Sequence, residues 1–280
     1  MNDNLNTEKQ GLKGVVLPPQ PSIIAEIRRF KDDREKVSEL ISTDPSLASG
    51  ILRTVNSPAF GLIEEMVSIQ DAIQLLEIER TLNIVNAILI KSSIDYLSDV
   101  DLTTFWMSSS DVAKACAAIS CYLNLGLEDV AYTTGLFHNC GLPIMASKYD
   151  DYWKTIVHSY HAINATSTIV FHENQHYSTN HAVIGYFLAK AWHLPQNICN
   201  AIRFHHNPKF YLEMDDDVQD LICILKLAEH IVGVYHVVGG QMKDREWPLF
   251  KAEALAHFGL SEYDYEEMAG VIKEKVEGLL

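Results

Sequence analysis

Apolar residues recur at three- and four-residue spacing along almost the whole chain, and no stretch shows the two-residue alternation of a half-buried strand. That periodicity confines the molecule to packed helices, so the fold class is all-α. Ile23, Ile24 and Ile27 mark a first helix that follows Pro18, Pro19 and Pro21 and runs to about Phe30. Val37, Leu40 and Ile41 mark a second. Asp44 is an N-cap with Pro45 at the first helical position, which predicts a third helix through Val55. Asn56-Ser57-Pro58 stops it, with Gly61 in the loop beyond. Ser68 then caps a helix over 69–76, and a longer one is expected from about Glu79 to Leu97.

Beyond Asp101 the pattern predicts helices over 104–124, 128–138, 150–161, 166–176, 180–193, 196–206, 217–237 and 262–278. Gly126, Gly141, Pro143, Pro195 and Pro208 read as the breaks between them. The composition shift near residue 100 is mild, which predicts two lobes of one body. The expected layout is a flexible N-terminus (1–14), a domain over 15–212, and C-terminal helices over 213–280 that complete or extend it. Within that domain, 15–98 forms an N-terminal lobe and 99–212 a second lobe.

Charge narrows the function classes. Lys and Arg number 22 against 37 Asp and Glu, a net −15 at pH 7. Such a chain repels polyanions, so neither nucleic acid nor an anionic membrane surface is an expected partner. The apolar runs are too short to cross a bilayer. Five cysteines without a C-x-x-C pair suit a reducing compartment. The polar start lacks the basic flank and apolar stretch of a signal peptide. A cytoplasmic location is therefore expected.

Phosphate-cradling glycine loops and the G-x-S-x-G nucleophile elbow are both absent. Histidine carries the chemical information, since all 12 lie after residue 137. His172-Glu173-Asn174-Gln175-His176 spells H-E-x-x-H, a zinc grip when helical. The extension that would supply a third ligand fails, with Thr179 and Ala182 where Gly and His are required. A zinc peptidase is thus the weakest of three functional readings. A second set is dispersed: His138-Asn139, His181 and His205-His206.

In order and spacing the chain resembles the HDOD family, helical relatives of the HD phosphohydrolases. The resemblance rests on Leu17-Pro18-Pro19, Asp44-Pro45-Ser46-Leu47, and Asn56-Ser57-Pro58-Ala59-Phe60-Gly61. It continues through Gly135-Leu136-Phe137-His138, Glu173 eight residues before His181, Trp192-His193-Leu194-Pro195, and Arg203-Phe204-His205-His206. It implies a two-lobed, HD-domain-like helical bundle. It also implies a signal-transduction output or regulatory module, acting through a signalling protein or a small ligand, of bacterial type. The alternative it implies is a metal-dependent phosphohydrolase with a reduced ligand set.

Carried over position by position, the metal site is degenerate. His138 matches the dyad histidine, while Asn139 replaces the dyad aspartate and Ser108 falls where an earlier histidine would stand. His181, and His205 or His206, match downstream histidines, and Glu229 falls near the closing aspartate. No cofactor is required on this reading, a divalent metal being the one group the remnants would take. Asn56, Ser57, Phe60 and Glu173 are the candidates for a binding surface between lobes.

Overall fold

The computed structural model describes residues 14–56, 62, 64–97, 101–165 and 167–277. All but the last residue of the expected flexible N-terminus lies outside these, as do Ser57 and Phe60.

The described chain is helical, with one isolated bridge between Asn164 and Ser167. Among the described residues, four helices build the N-terminal lobe: α1 (Ser22–Arg29), α2 (Arg34–Ser42), α3 (Pro45–Val55) and α4 (Ile69–Leu97). Asp44 caps α3 as its sequence predicts, accepting from the backbone N–H of Ser46 at 2.8 Å and Leu47 at 3.2 Å. α4 is broken at Glu77, where φ is 63° and ψ 165°, so the expected pair of helices meets at a kink.

The second lobe contains α5 (Thr103–Tyr122), α6 (Glu128–Phe137), α7 (Gly141–Lys148), α8 (Tyr152–Ala162), α9 (Ile169–Tyr177), α10 (His181–Ala191) and α11 (Gln196–Phe204). After it come α12 (Phe210–Glu213), α13 (Asp216–Val232), α14 (Val234–Val237), α15 (Trp247–His257) and α16 (Glu262–Glu277).

Two expectations need correction. Gly141 and Pro143 do not break the chain; they open α7, where proline's missing N–H costs no bond in a helix's first turn. The 217–237 segment is not one helix: Gly233, at φ 76°, ends α13 in the left-handed conformation before α14.

Two apolar clusters hold the molecule together. One joins Ile24, Ile41, Ile51 and Ile90 to Phe137, Tyr152, Ile184 and Trp192, so it crosses the expected lobe boundary near residue 98. The other packs α5 against α13, α15 and α16 through Val112, Ile119, Leu225, Phe250 and Met268. Trp192 clasps the first segment to the second lobe: its indole N–H donates to Pro18 O at 2.9 Å, and Gln20 Nε2 donates to Trp192 O at 2.9 Å.

Where α7 crosses α10, small residues bring two backbones together. A Cβ added to Gly141 would lie 2.0 Å from His181 O, and one added to Gly185 would lie 3.3 Å from Cys140 Sγ. Glycine at 141 therefore sets the approach of the His138 turn to the start of α10.

Candidate functional site

His138 is the C-cap of α6, His181 opens α10, and His205 and His206 follow α11. Three helix termini thus deliver four imidazoles into one interior, each at most 2% exposed. The rings of His138 and His205 lie 5.4 Å apart, those of His181 and His205 5.5 Å, and those of His205 and His206 4.0 Å.

Every Nδ1 is tied to an acceptor. His138 donates to Gly135 O at 2.6 Å and His205 to Ile202 O at 2.7 Å. His181 donates to Glu173 Oε2 and His206 to Glu246, both at 2.7 Å. These bonds fix the tautomers and turn four Nε2 atoms inward, the orientation that second partners impose on metal-binding imidazoles. Nε2 of His205 has no partner among the described residues. Nε2 of His138 lies 3.2 Å from Glu229 Oε1 but off the line of a hydrogen bond. Nε2 of His181 faces Nε2 of His206 at 3.1 Å. With both Nδ1 protons committed, that contact sets two lone pairs against each other, a conflict that a shared cation or proton relieves.

Ring nitrogens of His181, His205 and His206 all lie within 4.8 Å of one another. Bonds of about 2.0–2.1 Å to one tetrahedral ion need ligand atoms about 3.3 Å apart, so modest closure would complete a three-imidazole site. Asn139 is buried beside His138, and its Oδ1 has no partner. The donor set therefore fits one transition-metal ion.

It does not fit two. The carboxylates that would offset a second cation are committed to Lys226. Its ammonium lies 2.7 Å from Glu229 Oε2 and 3.0 Å from Glu246 Oε2, and all three residues are buried. Burial opposes the lysine's charge, yet Glu229 and Glu246 lift its pKa to about 12. Burial likewise penalises the Glu229 anion, but Lys226 holds its pKa far below the usual carboxylate range. Glu246 titrates above that range, chiefly through burial, with Lys226 pulling the other way. Glu229 is thus the lysine's principal counter-ion. His205 and His206 sit well below the usual imidazole range, first through burial and then through neighbouring His206, for His205, and Lys226, for His206.

The structure brings His138, His181, His205, His206 and Glu229 into contact, while Asn139 is buried next to His138 in the chain. It moves Glu173 out of the expected inter-lobe surface. That side chain is fully buried, accepts from Tyr152 Oη and from the His181 backbone N–H at 3.0 Å, and orients the His181 ring. The same commitment removes it from a peptidase role, because His176 is exposed with its Nδ1 on His172 O. Asn56 is not a free surface group either. Its amide donates to Met66 O at 2.8 Å and accepts from Met66 N at 2.7 Å, closing the loop after α3. Ser108 is buried in α5.

Lys226 and Glu246 were not anticipated. Lys226 had a signal: a lone cation inside Leu221-Ile222-Cys223-Ile224-Leu225-Lys226-Leu227-Ala228 requires a buried counter-charge. Glu246, in the turn before α15, had none.

Two openings adjoin the cluster. A void of about 20 Å³, room for one water, touches Lys226, Glu229 and Glu246. A cleft of about 660 Å³ reaches His206 past Phe171, Arg203, Phe204 and Lys209.

An uncharacterized protein of Treponema pallidum (strain Nichols) is 28% identical over 209 residues, 68% of this chain, and the match spans 38% of that protein's length. A solved structure from Shewanella amazonensis SB2B, named as a candidate phosphohydrolase, aligns at 22% identity with TM-score 0.66 over 98% of both chains. An HDOD domain protein of unknown function from Geobacter sulfurreducens aligns at 20% identity with TM-score 0.66, covering 100% of this chain and 99% of its own. These likenesses establish a shared helical fold. The HDOD domain model matches residues 17–208, from the proline-rich lead through His205 and His206, and the chain belongs to the HDOD family.

Proposed function

We propose that this chain is a non-catalytic regulatory module of bacterial signal transduction, working in the cytoplasm by binding a signalling protein or a small ligand. The observation that carries this reading is Lys226. A hydrolytic two-metal centre needs carboxylates free to bridge and neutralise its ions. Here Glu229 and Glu246 already share a buried ammonium, and Asn139 offers a neutral oxygen where an anion would serve. The module keeps the HD interior as a rigid polar core and has given up the charge arrangement of the reaction. The experiment is turnover of bis(4-nitrophenyl) phosphate with added manganese. The reading predicts no rate above that of His138→Ala, and turnover that His138→Ala abolishes would make the chain a phosphohydrolase.

A second reading is favoured by the four inward Nε2 atoms. One transition-metal ion held by His181, His205 and His206 would relieve the 3.1 Å lone-pair contact between His181 and His206. Bound there, the ion would brace three helix termini.

A further inference from the structure

The geometry points to a second binding site, at the junction of the two lobes, for a small amphipathic anion. A cleft of about 440 Å³ is lined by α3 and α4 of one lobe and α5 and α6 of the other, and none of the four clustered histidines lines it. Its apolar lining comes from Ile84, Ala87 and Ile88 of α4 and Leu136 of α6. Arg53 and Lys91 add two cations, and Ser49, Ser92 and Ser110 add hydroxyls.

Charge selects the ligand. Acidic residues outnumber basic ones 37 to 22 in this chain, yet none lines the cleft. Arg53 donates to the Ser49 hydroxyl at 3.1 Å, and the Lys91 ammonium sits 5.7 Å over the Trp106 ring. Among the described residues neither cation has a carboxylate within 4.0 Å. Asp95, one turn from Lys91, accepts the Trp106 indole N–H at 2.6 Å, and Lys91 also lines a neighbouring cleft with Asp95 and Asp101, so Arg53 is the cation that belongs to this cleft alone. Two cations in an apolar lining complement a carboxylate, sulfonate or phosphate carried on an aromatic or aliphatic body. Leu136 stands two residues before His138, so the cleft and the histidine cluster share α6. This inference deepens the reading of a ligand-responsive module by giving that ligand a place and a chemical class.

The test is a fluorescence titration of the full chain with 8-anilinonaphthalene-1-sulfonate, against the uncharged N-phenyl-1-naphthylamine as control. The sulfonate is expected to bind saturably, one per chain, and more tightly than the neutral probe. Arg53→Gln or Lys91→Gln should each weaken it about fivefold, and the pair about 25-fold, with the neutral probe unaffected. Ser49→Phe, at an exposed lining position, should block both probes. Raising the salt should weaken the sulfonate alone, a readout that needs no variant. Equal affinity for both probes, or sulfonate binding unchanged by the double variant and by Ser49→Phe, would overturn the inference. Turnover of a phosphodiester by a chain whose cleft still binds the sulfonate would instead sink the non-catalytic reading alone.

Discussion

At the residue scale, buried charge decides what the histidine cluster can do. Lys226 stands between two buried carboxylates, so Lys226→Met leaves both without their cation. Breaking a buried ion pair from one side costs about 3–5 kcal/mol. The variant should lose that much stability in urea denaturation, and Lys226→Met/Glu229→Gln should recover part of it, because the two changes act on one contact. A loss under 1 kcal/mol would show that the ammonium is not the cluster's counter-charge. The candidate ligands were legible individually, since His138, His181, His205, His206 and Glu229 carry the family spacing. Their charge balance was not. Glu246 is brought to His206 across 40 residues of chain by the packing of α15, and no local pattern encodes such a contact.

At the element scale, one close crossing and one ion pair position the site. Gly141 lets α7 meet the backbone of His181, and the added methyl of Gly141→Ala would collide with His181 O. Overpacking of this kind costs about 1–3 kcal/mol, against a helix-propensity gain of about 1. The variant should melt lower and show shifted imidazole resonances in NMR; unchanged resonances would contradict the crossing. Reading Gly141 and Pro143 as breakers failed for two reasons: Gly141 serves a tertiary contact, and Pro143 is tolerated in a helix's first turn. α15 was missed although its signal was present: Trp247, Phe250, Ala254 and Leu255 are buried at i, i+3, i+7 and i+8, and Pro248 sits in its first turn.

Between lobes, Arg80 of α4 pairs with Asp129 of α6 at 2.7 Å. Asp129 is buried with one oxygen unpartnered, while Arg80 is half exposed. Burial raises the Asp129 pKa more than Arg80 lowers it. A raised folded pKa favours the folded state below the unfolded value of about 3.9, and that advantage is lost as pH rises through the folded value. At pH 7 Asp129→Asn should therefore melt no lower than the parent, with its relative advantage shrinking toward pH 4. A marked loss at pH 7 would show that the ion pair outweighs the burial.

At the scale of the whole molecule, the histidine-lined interior is completed by segments beyond the matched domain. Lys226, Glu229 and Glu246 all lie after residue 212, and the second apolar cluster draws Leu225, Phe250 and Met268 from the same region. A chain ending at residue 212 should lose cooperative unfolding by circular dichroism, whereas a sharp transition would make the C-terminal helices an appendage. The all-α class, the two helices meeting at Glu77 and the cap of α3 were all readable from periodicity and capping residues. The closure of the interior by α13 and α15 depends on long-range packing, which periodicity does not report.

In the proposed reading Lys226 supplies the charge that a second metal ion would bring. The most direct measurement is the metal content per chain, by mass spectrometry, of protein purified without an affinity-tag metal and equilibrated with excess manganese or zinc. One ion per chain or fewer, lost on His181→Ala or His206→Ala, is the predicted result. Two tightly bound ions per chain would contradict the account, because they would require Glu229 and Glu246 to leave Lys226.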